Sequence, residues 1–426
     1  MKKKIIVRAP ALSRSGYGEQ SRFAMRALRT VEDKLDIYLM NIPWGQTGNV
    51  NYTDEEIEWL EQLQNKTAMY QQAGGTYDIS LQITIPNEFV PMAPLNVGFT
   101  AGIETSKTAP EWVEKGNMMN KIILVSDHSR NVYQNTSYQA TNSETGEVNN
   151  DFRCTVPMET VNYSVRGMAP PSDLDIELDY DFNFLAVAQF GPRKNLPNTI
   201  RWFVEEFIDQ EVGLVVKTNM AADCIGDHIN TQKYMNTLLA EYPNRKCKVY
   251  LLHGTLDEGQ LSALYTHEKI KAFVSLTHGE GFGLPIFEAV CNALPVICPL
   301  WSGQMDFLYA PVKDKKTKKE KVTHHCAKVE YDIKPVQPEV VWPGVLVADS
   351  LWCYARPGSY KMKLREVLKN HGRFKSQANR LQKHVLSEFT DEKQYKKFTD
   401  SILELMPRTK EEEEWEGILE QVVNYE

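Results

Sequence analysis

Short apolar runs recur along the chain, separated by stretches in which apolar residues return every three or four positions. In the first half the runs fall at residues 4–7, 35–40, 77–81, 96–99 and 121–126. In the second half they fall at 183–188, 212–217, 248–252, 272–276 and 295–299. Runs this short and continuous read as strands of parallel sheets covered on both faces, with helices between them. One helix is expected over residues 19–30, because Phe23, Ala27 and Leu28 share a face. The alternation breaks over residues 168–181, where M-A-P-P-S-D-L-D-I-E-L-D-Y-D carries two prolines and a cluster of acids without helical spacing. The pattern therefore predicts an α/β domain over 1–167, a linker over 168–181, a second α/β domain over 182–385 and a helical extension over 386–426. Two such domains in series place their ligands in a cleft between the carboxyl ends of their strands.

Composition narrows the classes. At 426 residues the chain exceeds one ordinary core, and 42% apolar with 24% charged residues is a globular balance. No apolar stretch approaches the roughly 18–20 residues of a spanning helix, so membrane insertion is not expected. The opening M-K-K-K-I-I-V stops at Arg8, short of a signal-peptide core of about 7–15 apolar residues. Seven scattered cysteines with no C-x-x-C pair fit a reduced cytosol better than a disulfide framework. The formal charge of -8 argues against nucleic-acid binding by the whole surface, yet residues 313–328 form a lysine-rich excursion. The acidic run at 411–414 reads as a solvated face or frayed tail. The adjacent His324, His325 and Cys326 lack a matching second pair, and no metal is expected there.

The most informative segment is T-H-G-E-G-F-G-L-P-I-F-E-A at 277–289. A strand is followed by a turn with Gly279, Gly281 and Gly283, and a helix starts near Pro285, where proline suits the first turn. A helix start offers unpaired N–H groups and a partial positive charge to phosphate or sugar oxygens. Glu280 and Glu288, eight residues apart, flank the turn, and ionised carboxylates are acceptors suited to sugar hydroxyls. Upstream, A-Q-F-G-P-R-K-N at 188–195 supplies Arg193 and Lys194 after a strand, and Lys217 ends the next one. The first-domain loop S-R-S-G-Y-G-E at 13–19 brings Gly16 and Gly18 to the start of a helix.

These residues resemble the donor site of retaining GT-B glycosyltransferases of the sucrose-synthase and mannosyltransferase group, and the resemblance extends over most of the chain. It implies two Rossmann-like domains facing a central cleft, with the C-terminal helix packing back on the first domain. It also implies a nucleotide-diphosphate sugar, of UDP or GDP type, as co-substrate, with no cofactor and no metal. Glu288 then meets the ribose hydroxyls and Glu280 the donor sugar, while the amides of Gly281, Phe282 and Gly283 hold sugar and phosphates. Lys194 matches the family's phosphate-facing lysine. Gln189 stands where the family carries its arginine, so Arg193 or Lys217 is left to complete the pair. The Gly16–Gly18 loop would close over the phosphates, and 253–256 resembles the segment near the base. The family's first-domain histidine is missing from the matching loop, where Glu104 is the candidate polar group, as catalyst or as interdomain hydrogen-bonding residue. His128, after the last first-domain strand, reads as a capping or satisfied histidine.

Three functions follow as expectations: glycosyl transfer to a glycan or other small acceptor, transfer to modified bases in DNA, and nucleotide-sugar binding without catalysis. The segments R-A-P-A-L-S-R-S-G-Y-G-E-Q-S-R-F-A and W-S-G-Q-M-D-F-L resemble glycosyltransferases of large tailed bacteriophages. That likeness makes hydroxymethylated pyrimidine in duplex DNA the most specific acceptor, met in a host cytoplasm, with the lysine excursion facing the phosphates.

Overall fold

The computed structural model describes residues 2–45, 47–50, 52–313 and 319–406. Lys315, Lys316 and Lys318 of the lysine excursion, the acidic run at 411–414 and the end of the helical extension lie outside the described residues. Strands β1 (Lys3–Ala9), β2 (Leu35–Asn41), β3 (Ile79–Gln82), β4 (Leu95–Thr100) and β5 (Lys121–Leu124) follow the apolar runs. A hairpin, β6 (Ser137–Thr141) and β7 (Val148–Arg153), precedes the short β8 (Met158–Thr160). The first sheet has the order β2-β1-β3-β4-β5-β8 with every pairing parallel. Helices α1 (Gly16–Arg29), α2 (Glu55–Gln72), α3 (Pro110–Gly116) and α4 (Asp127–Asn135) connect its strands.

The second sheet repeats the plan. Strands β9 (Asn183–Val187), β10 (Gly213–Lys217), β11 (Lys248–Leu252), β12 (Ile270–Val274) and β13 (Val296–Pro299) alternate with α5 (Leu196–Phe207), α6 (Ile225–Leu239), α7 (Glu258–Thr266) and α8 (Leu284–Cys291). After the hairpin β14 (Tyr309–Lys313) and β15 (Glu320–His324), β16 (Ala327–Val329) completes the parallel order β11-β10-β9-β12-β13-β16. The order reverses between β9 and β12, and an open α/β sheet binds ligands at the carboxyl ends beside such a switch. The loops after β9 and β12 are those carrying Lys194 and Glu280.

Two devices tie the halves together. The hairpin β17 (Tyr331–Pro335) and β18 (Leu351–Ala355) extends an arm whose Gly344 carbonyl accepts from Trp112 Nε1 at 3.0 Å, and Asp349 pairs with Lys107 at 2.5 Å. Helices α9 (Pro357–Lys369) and α10 (His371–Glu388) then lead to α11 (Asp391–Leu403), which returns to pack on α1. Phe398 of α11 is fully buried, its ring 5.8 Å from Phe23 and 5.1 Å from Phe99.

Three local expectations are corrected. Helix α1 begins at Gly16 rather than near residue 19, because Ser15 Oγ accepts from the Gly18 amide at 3.0 Å and caps the helix early. Strand β5 stops at Leu124, because Ser126 caps α4 through the Ser129 amide. Strand β12 runs two residues earlier than its apolar pattern, leaving residues 275–283 to form the turn.

Phe398→Ala should cost about 3–5 kcal/mol of stability, the range for truncating a fully buried aromatic. Denaturant unfolding checks it, and a loss under about 1 kcal/mol would mean that α11 is not part of the first domain's core.

Candidate functional site

A cleft of about 1260 Å³ opens between the carboxyl ends of the two sheets. Its walls include Gly16, Glu104, Arg193, Lys194, Lys217, Glu280, Gly281, Phe282, Gly283 and Glu288. Most come from loops and helix starts that follow strands of one sheet or the other; Lys217 ends β10 and Glu288 lies within α8.

The turn after β12 is shaped by close packing. A Cβ at Gly281 would stand 1.9 Å from the carbonyl oxygen of Ala101, and one at Gly279 would stand 1.9 Å from that of Glu104. These two glycines admit the first-domain loop against the turn. Gly283 has φ +100° and caps α8, a left-handed conformation that favours glycine. Phe282, buried, turns its ring against Tyr163, Phe287 and Phe307. From behind, Ser302 Oγ accepts from the Glu280 amide at 2.9 Å, and the Gly303 amide donates to the Glu280 carbonyl at 2.9 Å. Ser302 has φ +72°, a costly conformation for serine, held where it braces Glu280. The W-S-G-Q segment is thus the brace of the turn.

Glu280 joins three charged residues. Lys194 Nζ lies 2.5 Å from one carboxylate oxygen and Arg193 Nη1 3.0 Å from the other. Arg193 reaches across the cleft with Nη2 to Glu104 at 2.9 Å. Burial pushes the Glu280 carboxyl up, but Lys194 and Arg193 outweigh it and hold its pKa down to about 2. Burial, with Arg193 alongside, lowers the pKa of Lys194, and burial raises that of Glu104 against the pull of Arg193. Lys217 ends β10 on the wall of the cleft, its pKa lowered by burial, within electrostatic reach of Asp223 and Glu288. Gln189, at the family's arginine position, spends its amide on the Met220 carbonyl at 2.9 Å.

Glu288 sits on α8 behind the turn. Arg166 Nε donates to one of its oxygens at 2.8 Å and Tyr265 OH to the other at 2.9 Å. Arg166 Nη1 continues to Glu19 of α1 at 3.0 Å. Sequence reasoning missed Arg166, Tyr265 and Ser302. Ser302 lies in the segment 301–308 that resembles phage enzymes, without a role legible there; Arg166 and Tyr265 lie in no local motif.

On the first-domain side Gly16 and Gly18 occupy the first turn of α1, and Arg14 donates to Thr255 Oγ1 at 2.7 Å across the cleft. Glu104 is an interdomain residue and also faces the cleft. His128 packs edge-on against Trp301 at 5.1 Å, and burial lowers its pKa to about 4. A further arm of the cleft is lined by Arg26 and Arg29 of α1 together with Trp44, Tyr52 and Trp59. His324 and His325 each bond a backbone carbonyl through Nδ1. Among the described residues no cluster of His, Cys, Asp and Glu has the makings of a metal site, and no helix is long and apolar enough to cross a membrane.

In fold the chain is similar to sucrose-phosphate synthase from Thermosynechococcus elongatus, with a TM-score of 0.60 and 12% identity over 95% of this chain and 99% of that one. It is similar to HepE from Anabaena in complex with UDP and glucose, with a TM-score of 0.55 and 12% identity over 95% and 100% of the two chains. The apo structure of OtsA gives a TM-score of 0.55 at 11% identity, over 95% and 100%. No protein-family model and no curated protein matches the chain in sequence. Likeness at this identity establishes the fold: two parallel-sheet α/β domains in the GT-B arrangement of glycosyltransferases.

The ion pairs of Glu280 set a pH dependence. A carboxyl held at about 2 in the folded chain, against an ordinary 4.5, adds stability above its unfolded pKa and loses it as pH falls towards the folded one. Glu280→Gln should therefore be less stable than the parent at about pH 6, with the gap narrowing as pH drops to about 2. Unfolding curves across that window test the assignment, and a gap independent of pH contradicts it.

Proposed function

We propose that the chain is a retaining, metal-independent glycosyltransferase that moves a sugar from a nucleoside-diphosphate donor to a hydroxyl acceptor. The observation that carries the reading is the placing of Glu280 and Glu288 on either side of one helix start, in one cleft, with Lys194 and Arg193 beside the first. A nucleoside diphosphate sugar presents matching groups in the same order: ribose hydroxyls for Glu288, an anionic diphosphate for the α8 start and Lys194, and sugar hydroxyls for Glu280. UDP is the first nucleotide to try, since a neighbour of the same fold holds UDP and glucose.

In this mechanism the acceptor oxygen bonds to the anomeric carbon on the face from which the phosphate oxygen departs. The acceptor's proton passes to that phosphate oxygen, leaving a glycoside and a nucleoside diphosphate. No protein nucleophile takes part, and the chain acts by positioning and by charge. An ammonium has three donors, and the bond to Glu280 uses one, so Lys194 has donors for the leaving group as its charge grows. Glu280, ionised at any working pH, orients both cations and accepts from the sugar. Glu104 holds Arg193 in place from the acceptor side.

The acceptor we propose is hydroxymethylated pyrimidine in DNA, on the sequence likeness to phage enzymes and on the side arm of the cleft. There Trp44, packed on Tyr17, Trp59, with Arg29 over its ring, and the exposed Tyr52 supply aromatic surface for an extruded base, and Arg26 and Arg29 pair with Glu56 and Glu55 at 3.1 Å. The same aromatic surface also suits a sugar ring, which keeps a glycan as the second reading. Seven free cysteines accord with a reducing compartment, a host cytoplasm for a phage enzyme.

Calorimetry should show Glu288→Ala weakening nucleotide binding by roughly 1.5–3 kcal/mol, the scale of a charge-assisted hydrogen bond. Glu280→Ala should spare the bare nucleotide and lower turnover of the nucleotide sugar; if both variants bind nucleotide like the parent, the donor site lies elsewhere. Lys194→Ala should lower kcat more than it raises the donor KM, since the leaving-group charge grows towards the transition state. Activity should survive EDTA. Nucleoside mass spectrometry after incubation with hydroxymethylcytosine DNA and UDP- or GDP-sugars decides the acceptor, and transfer to a saccharide with no glycosylated nucleoside selects the glycan reading.

A further inference from the structure

We infer that Arg166 is a positioning residue that orients Glu288 towards the donor's ribose and so sets the selectivity for ribose over 2′-deoxyribose. The inference rests on the donor-site reading above and adds to it a residue and a specificity.

Arg166 lies on the segment that leaves the first sheet after β8, and its neighbours anchor that segment on both sides. The Val165 amide donates to the Phe389 carbonyl at 2.8 Å, and the Gly167 carbonyl accepts from Nδ2 of Asn292, which caps the end of α8, at 2.8 Å. A Cβ at Gly167 would come within 3.0 Å of Glu288 Cγ, so the backbone runs along the glutamate's stem. From there the guanidinium forks, Nε to Glu288 at 2.8 Å and Nη1 to Glu19 at 3.0 Å. Glu19 is fixed in turn by Arg22, itself buried and bonded to the carbonyl oxygens of Ala11 and Ser13. Tyr265 holds the other oxygen of Glu288.

The consequence is a carboxylate with little freedom to rotate. Each of its oxygens spends one lone pair on a fixed partner and keeps a second for a ligand. Two acceptors held in one plane suit the two neighbouring hydroxyls of a ribose, whereas a 2′-deoxyribose offers one. Arg166 also supplies the cation that this buried carboxylate needs to stay ionised, because burial pushes its pKa up. A protonated acid would present a donor where the diol needs acceptors. No other cation is within ion-pair distance of Glu288 among the described residues. Lysine in place of Arg166 would keep the charge without the planar fork that reaches both acids.

The test compares UDP with 2′-deoxy-UDP, and GDP with 2′-deoxy-GDP, by calorimetry on the full chain. The parent should prefer the ribonucleotide tenfold or more. Arg166→Gln should reduce that preference to about twofold or less, as should the control Glu288→Gln. Arg166→Lys, the fallback should the glutamine variant not fold, should cut the preference at least threefold. A bridge that served only to hold the domains together would weaken both sugars by the same factor. A preference unchanged in both Arg166 variants therefore overturns the inference and leaves the donor site standing. A parent that binds neither nucleotide overturns the donor-site reading, and this inference with it.

Discussion

Two carboxylates buried at one helix start are the constraint around which this chain is arranged. Glu280 and Glu288 are 7% and 4% exposed, and a charge so far from water stands only where cations come to it. The cations arrive from different stretches of the chain: Lys194 and Arg193 from the loop after β9, Arg166 from the segment between the sheets. Each is partly buried there, and the two arginines are tied onward to acids of the first domain, Arg193 to Glu104 and Arg166 to Glu19. Alternating charge thus runs from one domain through the cleft to the other. Loss of Glu280 takes from Lys194 its ion pair, and loss of either glutamate leaves an arginine paired with its first-domain acid alone, so site chemistry and domain alignment are coupled.

Steric fit points the same way. The loop at 101–104 lies so close to the turn at 279–281 that only hydrogen fits at two positions of the turn. Behind the turn, Ser302 in a disfavoured conformation fixes the Glu280 backbone, and the β17–β18 arm and α11 bind the second half of the chain to the first. The cleft wall is therefore preorganised on rigid supports, the condition under which dipoles and charges act most strongly on a reacting group.

How much of this was legible depended on whether a feature was local. The β1, β9 and β11 runs could be read because parallel strands are covered on both faces and leave continuous apolar stretches. The turn at 277–289 could be read because strand end, glycines, proline and both glutamates stand within one short segment. Arg166 could not, since it meets Glu288 across 122 residues of sequence and nothing around it forms a pattern. Nor could the β6–β7 hairpin, whose exposed polar strands carry no apolar stripe. The start of α1 went astray because Gly16 and Gly18 have poor helix propensity, which the Ser15 cap overrides. Gly279 and Gly281 could be placed at the turn, but the first-domain backbone that both of them admit could not, because that contact joins distant stretches of the chain.

The central claim is that a nucleoside diphosphate sugar binds between the two domains, against the turn after β12. Hydrogen–deuterium exchange of the full chain with and without UDP-glucose or GDP-mannose tests it most directly. Exchange should slow at 277–289 together with 13–19 and 164–167, since the donor must engage the turn and the charges that join it to both domains. Binding that protects other segments and leaves 277–289 unchanged would contradict it.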